Sequence, residues 1–206
     1  MELDELKGVW AQYDKKLTEN LRFNEELFIK MNLDKSKREM NGPYNYEIAS
    51  VIVMGIFLIF ILSFTFQYGH EIKYLISGLI TSFTLICLLV FAMLKVKNLS
   101  NFDYYNSPVI KLQKSLLKFR QIYLKFKKYE LYIFPVLAIA AIPILVKGMA
   151  NIDILSNPEI YIIAVIGALV LGIPKAMWIY KHWYEKKIKN TSDFLAELNR
   201  FEKEEE

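Results

Sequence analysis

The fold is decided by the stretch from Ser107 to Glu130, which reads SPVIKLQKSLLKFRQIYLKFKKYE. Its first two residues, serine and proline, are typical of a helix start, because a serine side chain can cap free N–H groups and proline is tolerated in the first turn. Seven Lys or Arg and no acid lie between Ser107 and Tyr129. Apolar side chains recur at alternating intervals of three and four residues, at Val109, Leu112, Leu116, Phe119, Tyr123 and Phe126. This spacing predicts a basic helix with one apolar stripe.

Two pairs of long apolar runs flank this helix. The runs cover residues 48–66, 74–94, 131–150 and 160–180. Each is close to the ~20 residues that cross ~30 Å of hydrocarbon. Small and hydroxyl residues in the second run, among them Ser77, Gly78 and Thr81, indicate close contact with a neighbouring helix. We therefore predict an all-α integral membrane protein with four transmembrane helices in two hairpins, plus amphipathic cytoplasmic helices.

The basic residues predict the orientation of these runs. Of the 26 Lys and Arg residues, 24 flank the runs on one side, and only Lys73 and Lys147 lie near the short loops on the other. The positive-inside rule then places both termini and the central helix in the cytoplasm. The predicted segments are a cytoplasmic arm (1–44), a transmembrane hairpin (45–95), the basic helix (96–130), a second hairpin (131–180) and a cytoplasmic tail (181–206).

The N-terminal arm has the same spacing as the basic helix. Its apolar positions, followed in register by two asparagines, are Leu3, Leu6, Trp10, Tyr13, Leu17, Asn20 and Asn24. Asparagine in such a seam weakens a coiled coil but fixes its register and partner number. The sequence Asn41-Gly42-Pro43 predicts the end of this helix. The arm is interpreted as a docking helix, as half of a self-association seam, or as a helix lying on the protein's own cytoplasmic face.

No pattern indicates catalysis. The one cysteine, Cys87, has no partner for a disulfide, and His70 and His182 are predicted to lie on the surface at opposite ends of the molecule. No phosphate-binding loop or zinc motif is present, and no charge lies near the centre of an apolar run. We predict a non-enzymatic protein without catalytic, cofactor or metal residues. The net charge of +4 is too small to indicate nucleic-acid binding.

Two segments carry a family resemblance. The opening ELDELK at residues 2–7, with Trp10 and Asp14 after it, and the segment Tyr105–Pro108 resemble a family of small bacterial four-span membrane proteins. The resemblance implies a location in the bacterial inner membrane. Members of that family are often encoded beside extracytoplasmic-function sigma factors, so the resemblance implies an anti-sigma or sigma-linked regulatory role. The chain lacks the His/Cys zinc signature of the best-known anti-sigma domain, so no zinc site is carried over.

The first functional hypothesis is a regulatory or scaffolding protein of the lipid bilayer that docks a cytosolic partner, with a sigma factor as the partner that the resemblance suggests. The predicted partner-binding residues are Leu3, Leu6, Trp10, Tyr13 and Leu17 in the arm and Leu112, Leu116, Phe119 and Tyr123 in the central helix. Two alternatives stay open. One is a small transporter or channel component, suggested by Pro135 and Pro143 in the third run. The other is a structural homo-oligomer joined through the arms.

Overall fold

The computed structural model describes the backbone of residues 3–204 and the side chains of residues 7, 10 and 12–201. Within that range the protein is helical and contains no strand. The α-helices are α1 (Leu3–Tyr68), α2 (Ile72–Ser100), α3 (Val109–Ala150), α4 (Pro158–Ile179) and α5 (Lys186–Glu204). A short 3-10 helix (Ile154–Ser156) precedes α4, and a π-helical turn (Tyr180–Glu185) joins α4 to α5.

Within residues 3–204, four helices are long and apolar enough to cross a membrane, which confirms that part of the prediction. They are α1, α2, α3 and the helix formed by α4 with its extension into α5. Their outer faces expose large apolar side chains, such as Ile59, Phe66 and Leu171. Exposed apolar side chains along a whole helix face are typical of a surface that contacts lipid. The structure thus indicates a multi-pass membrane protein.

α1 does not end at Asn41-Gly42-Pro43, so the predicted helix end is wrong. The helix continues through Pro43, although proline in a helix interior typically costs about 3 kcal/mol. The reason is tertiary packing, since Met40 and Pro43 are both buried. Gly42 lies against α5, where an added Cβ would stand 2.7 Å from the Lys187 Nζ. The predicted boundary between arm and first hairpin therefore falls inside one continuous helix.

The apolar parts of the helices pack closely through small residues. Ser77, Gly78 and Thr81 of α2 are all buried, as the sequence predicts. An added Cβ at Gly78 would stand 2.0 Å from the Thr65 Oγ1 of α1. The hydroxyl of Ser77 donates a hydrogen bond to the Ala140 carbonyl of α3. α2 therefore packs closely against both α1 and α3.

The molecule has two ends that differ in charge. The end that carries residues 69–71 and 151–157 is called the loop end, and the end that carries residues 101–130 and α5 is called the charged end. At the loop end, Lys73 pairs with Asp153 and with Glu71, the latter at an Nζ–Oε2 distance of 3.2 Å. The hydrogen bond that Lys73 donates lowers the pKa of the Asp153 carboxyl to about 2.

Candidate docking surface and buried charge cluster

The first part of α1 is a helical arm that projects from the rest of the protein. From here on, the name arm is kept for residues 3–27 of the longer segment predicted above (1–44). At 1.5 Å per residue, these residues extend about 37 Å. Trp10, Tyr13 and Leu17 are 69%, 71% and 59% exposed. The side chains of Leu3 and Leu6, which continue this stripe, lie outside the described residues. An apolar stripe with side chains this exposed is an uncovered surface.

The arm ends where α1 meets α5. There the Phe28 ring contacts the Phe201 ring, with their centroids 5.0 Å apart. Beyond this point the faces of α1 become buried, beginning with Asn32 and Leu33. The arm is therefore the part of α1 whose described side chains are left uncovered by the other described helices.

The apolar stripe of the basic helix, which forms the first part of α3, is buried, unlike the stripe of the arm. Leu112, Leu116, Phe119 and Tyr123 are all nearly inaccessible and form one core cluster with residues of α1, α2 and α5. A hydrogen bond from the Gln113 side chain to the Leu195 carbonyl, 2.9 Å long, also fastens α3 to α5. These four predicted partner-binding residues are thus occupied within the chain, while the described ones in the arm are bare.

Beneath this core lies a charge cluster that the sequence analysis did not anticipate. It consists of Glu47 of α1, Lys95 of α2 and Glu130 of α3. The Lys95 Nζ lies 2.7 Å from Glu47 Oε1 and 2.8 Å from Glu130 Oε1. The side chains are 2%, 5% and 17% exposed for Glu47, Lys95 and Glu130. Two carboxylates and one ammonium give the cluster a formal charge of −1, and its ion pairs link three helices.

The π-helical turn supplies two tyrosines to the cluster. Tyr184 donates a hydrogen bond to Glu47, and Tyr180 donates one to Glu130. The Tyr123 hydroxyl in turn donates to the Tyr180 carbonyl at 3.2 Å. A π-helical turn inside an α-helix is uncommon and is frequently found at functional sites. Here the turn fixes both tyrosines against the carboxylates.

A cavity of about 470 Å³ adjoins the cluster. Its polar end is formed by the charged cluster and the tyrosine hydroxyls. Its other walls are apolar and come from all four membrane-length helices, with Val53, Leu88, Phe134 and Ala176 as one residue from each. Val53 is largely exposed, so the cavity reaches the outer surface of the helices. The site is therefore an amphipathic pocket with its charges at one end.

A signal for this cluster was present in the sequence. Glu47, Lys95 and Glu130 each border an apolar run, and all three border it on the side of the termini. Charges that directly adjoin apolar runs are candidates for buried ion pairs, because a charge that neighbouring helices cover must be paired. Only the lateral arrangement of the helices, which residue spacing does not reveal, brings them together.

The described side chains include no group of three or more His, Cys, Asp or Glu arranged to hold a metal ion. Comparison of the chain with protein-family models, with curated proteins and with solved structures gives no match. The arm, the charge cluster and the cavity are therefore the features of the molecule that indicate a function.

Proposed function

We propose that the protein is a membrane-anchored docking protein, whose arm binds an amphipathic helix of a cytosolic partner and holds it at the bilayer. One observation carries the proposal: the stripe of Trp10, Tyr13 and Leu17 is exposed, on a part of α1 that the other described helices leave uncovered. Large aromatic side chains are the residues that most often dominate binding energy in protein interfaces.

The stripe also defines the chemistry of the partner. Its alternating spacing fits the seam of a coiled coil, in which each apolar side chain inserts between four residues of the facing helix. Asp14 and Lys16 flank the seam with opposite charges, and such flanking charges set partner choice. Asn20 and Asn24 occupy seam positions, so the partner helix should carry polar side chains opposite them. The partner is thus a helix with an apolar seam interrupted by polar residues.

The proposal requires the arm to be in the cytosol. The 24 Lys and Arg residues that flank the apolar runs on the side of the termini support this orientation. The bundle would then cross the inner membrane of a bacterium as two hairpins, with the loop end outside. The family resemblance at residues 2–7 makes a sigma factor the first cytosolic protein to test.

A photo-crosslinking experiment tests the proposal. A photoreactive amino acid replaces Trp10 in the full chain in native membranes, and a second version carries it at Leu116, which is buried and should crosslink only within the chain. A cytosolic protein captured at position 10 is then purified and titrated against the full chain in lipid nanodiscs. We expect the double variant Trp10→Ala/Leu17→Ala, without the crosslinker, to abolish this binding.

The matched control is Lys15→Ala/Arg22→Ala, on the opposite face of the same exposed helix. It should leave binding unchanged, because it keeps the stripe intact. Full binding by the Trp10→Ala/Leu17→Ala variant would refute the proposal. Crosslinks from position 10 only to a second copy of the chain would show that the arm is a self-association seam instead.

A further inference from the structure

We propose that the cavity beside Glu47, Lys95 and Glu130 is a binding site for a lipophilic organic cation: a molecule with one positive charge and a bulky apolar body. This site is separate from the arm, and the inference does not depend on the docking function. It follows from the size of the cavity, the charge of its polar end and the character of its walls.

The size of the cavity suits a small molecule. Its volume of about 470 Å³ lies within the ~300–1,000 Å³ that is typical of small-molecule sites. Its walls are largely aliphatic and aromatic, and a few polar groups converge at one end. The apolar body of the ligand would lie between Val53, Leu88 and Phe134, while its positive charge would face the charge cluster.

The sign of the ligand charge follows from the cluster. Lys95 compensates one of the two carboxylates, so the polar end keeps a formal charge of −1. In a wall of low polarity this charge attracts a cation and repels an anion such as a phosphate group. Glu130 is the more accessible of the two carboxylates and is therefore the one a ligand would meet first.

Aromatic rings strengthen the preference for a cation. Tyr46, Tyr180 and Tyr184 line the polar end, and Phe134 lines the apolar wall. The faces of such rings attract cations, most strongly where water is excluded. The cluster already shows this interaction, because the Lys95 Nζ lies 5.9 Å from the centroid of the Tyr184 ring. A cation with apolar substituents would use both the rings and the carboxylates.

Two ions of the same shape and opposite charge provide the test. The full chain in phosphatidylcholine nanodiscs is dialysed against tetraphenylphosphonium or tetraphenylborate, and uptake by protein-free nanodiscs is subtracted. We expect protein-dependent binding of the phosphonium only. Glu130→Gln, which removes the net charge but keeps an acceptor for Lys95, should weaken that binding about tenfold. Glu130→Asp keeps the charge and should retain the preference for the cation.

A second variant, Ala176→Phe, fills the cavity without changing its charge and should abolish binding. The matched controls are Glu185→Gln, whose carboxylate pairs with Lys127 outside the cavity, and Val170→Phe, on an exposed face of α4. Both should bind like the wild type. Equal binding of the two ions, unchanged binding by Glu130→Gln and Ala176→Phe, or uptake no greater than in protein-free nanodiscs would each overturn the proposal.

Discussion

The arm and the central helix have apolar stripes of the same spacing but opposite environments. Trp10, Tyr13 and Leu17 are between 59% and 71% exposed, whereas Leu116 and Phe119 are 3% and 1% exposed. The difference lies in what the rest of the chain supplies, because α5 and the middle of α1 cover the stripe of α3, whereas no described side chain of the arm belongs to a core cluster. The spacing therefore predicts an apolar face but does not reveal whether its partner lies within the chain.

Charged side chains show the same contrast, and we expect the largest effect here. Lys95→Met leaves the buried Glu47 carboxylate and the half-buried Glu130 carboxylate without their ammonium and should destabilise the protein by about 3–5 kcal/mol. Arg22→Met breaks the exposed Arg22–Glu26 pair of the arm, 3.1 Å long, and should change stability by less than about 0.5 kcal/mol. Denaturant titration in mild detergent measures both. Equal losses in the two variants would show that the arm is as tightly integrated as the body.

A pair of leucines compares the two stripes directly. Leu116→Ala removes a buried side chain and should lower the free energy of unfolding by about 2–5 kcal/mol. Leu17→Ala removes an exposed one and should change it by less than about 0.5 kcal/mol. Denaturant titration in mild detergent measures the stability of both variants. Binding of the partner is the second readout, since only Leu17→Ala should weaken this binding while the stability stays unchanged. A large loss of stability in Leu17→Ala would mean that the arm is covered within the protein.

Two glycines extend the comparison to the apolar helices. Gly78→Ala places a methyl group against Thr65, so overpacking should cost about 1–3 kcal/mol. Gly55→Ala adds the same group where, apart from the nearby backbone of α1 itself, no described atom lies within 4 Å, and the better helix propensity of alanine should stabilise α1 by up to about 1 kcal/mol. In mild detergent, the Tm of thermal unfolding should therefore fall in Gly78→Ala and rise in Gly55→Ala. If Gly55→Ala lowered the Tm as much as Gly78→Ala does, an additional contact on the outer face of α1 would be revealed.

The sequence predicts the local features of this fold well. The four apolar runs and the exposed positions of His70 and His182 are confirmed. Each depends on residues that lie near one another in the chain. Hydrophobic length and period are therefore sufficient to predict them.

The features that the sequence does not predict depend on contacts between distant segments. Pro43 normally ends a helix, but α1 continues because its surroundings are packed against α5. Glu47, Lys95 and Glu130 each resemble an ordinary charge at the end of an apolar run. Their pairing depends on the relative height and rotation of three helices, which a single sequence does not encode in any local pattern.

The smallest effect is expected at the loop end, where an exposed pair contrasts with the buried one. Asp153→Asn removes the carboxylate that pairs with Lys73 and should lower the Tm only slightly at pH 7. Because the pKa of Asp153 in the folded protein is lowered from 3.8 to about 2, its stabilising contribution is complete above about pH 5 and is lost as the pH falls through 2. The Tm difference between wild type and variant should therefore be constant from pH 7 to about pH 5, fall below that pH, and vanish only near about pH 1. Glu159→Gln, an exposed acid in the first turn of α4, is the control. A Tm difference for Asp153→Asn that persists at about pH 1 would show that the effect comes from the shape of the loop, because the Asp153 carboxyl is protonated there even in the folded protein and the charge pair no longer exists.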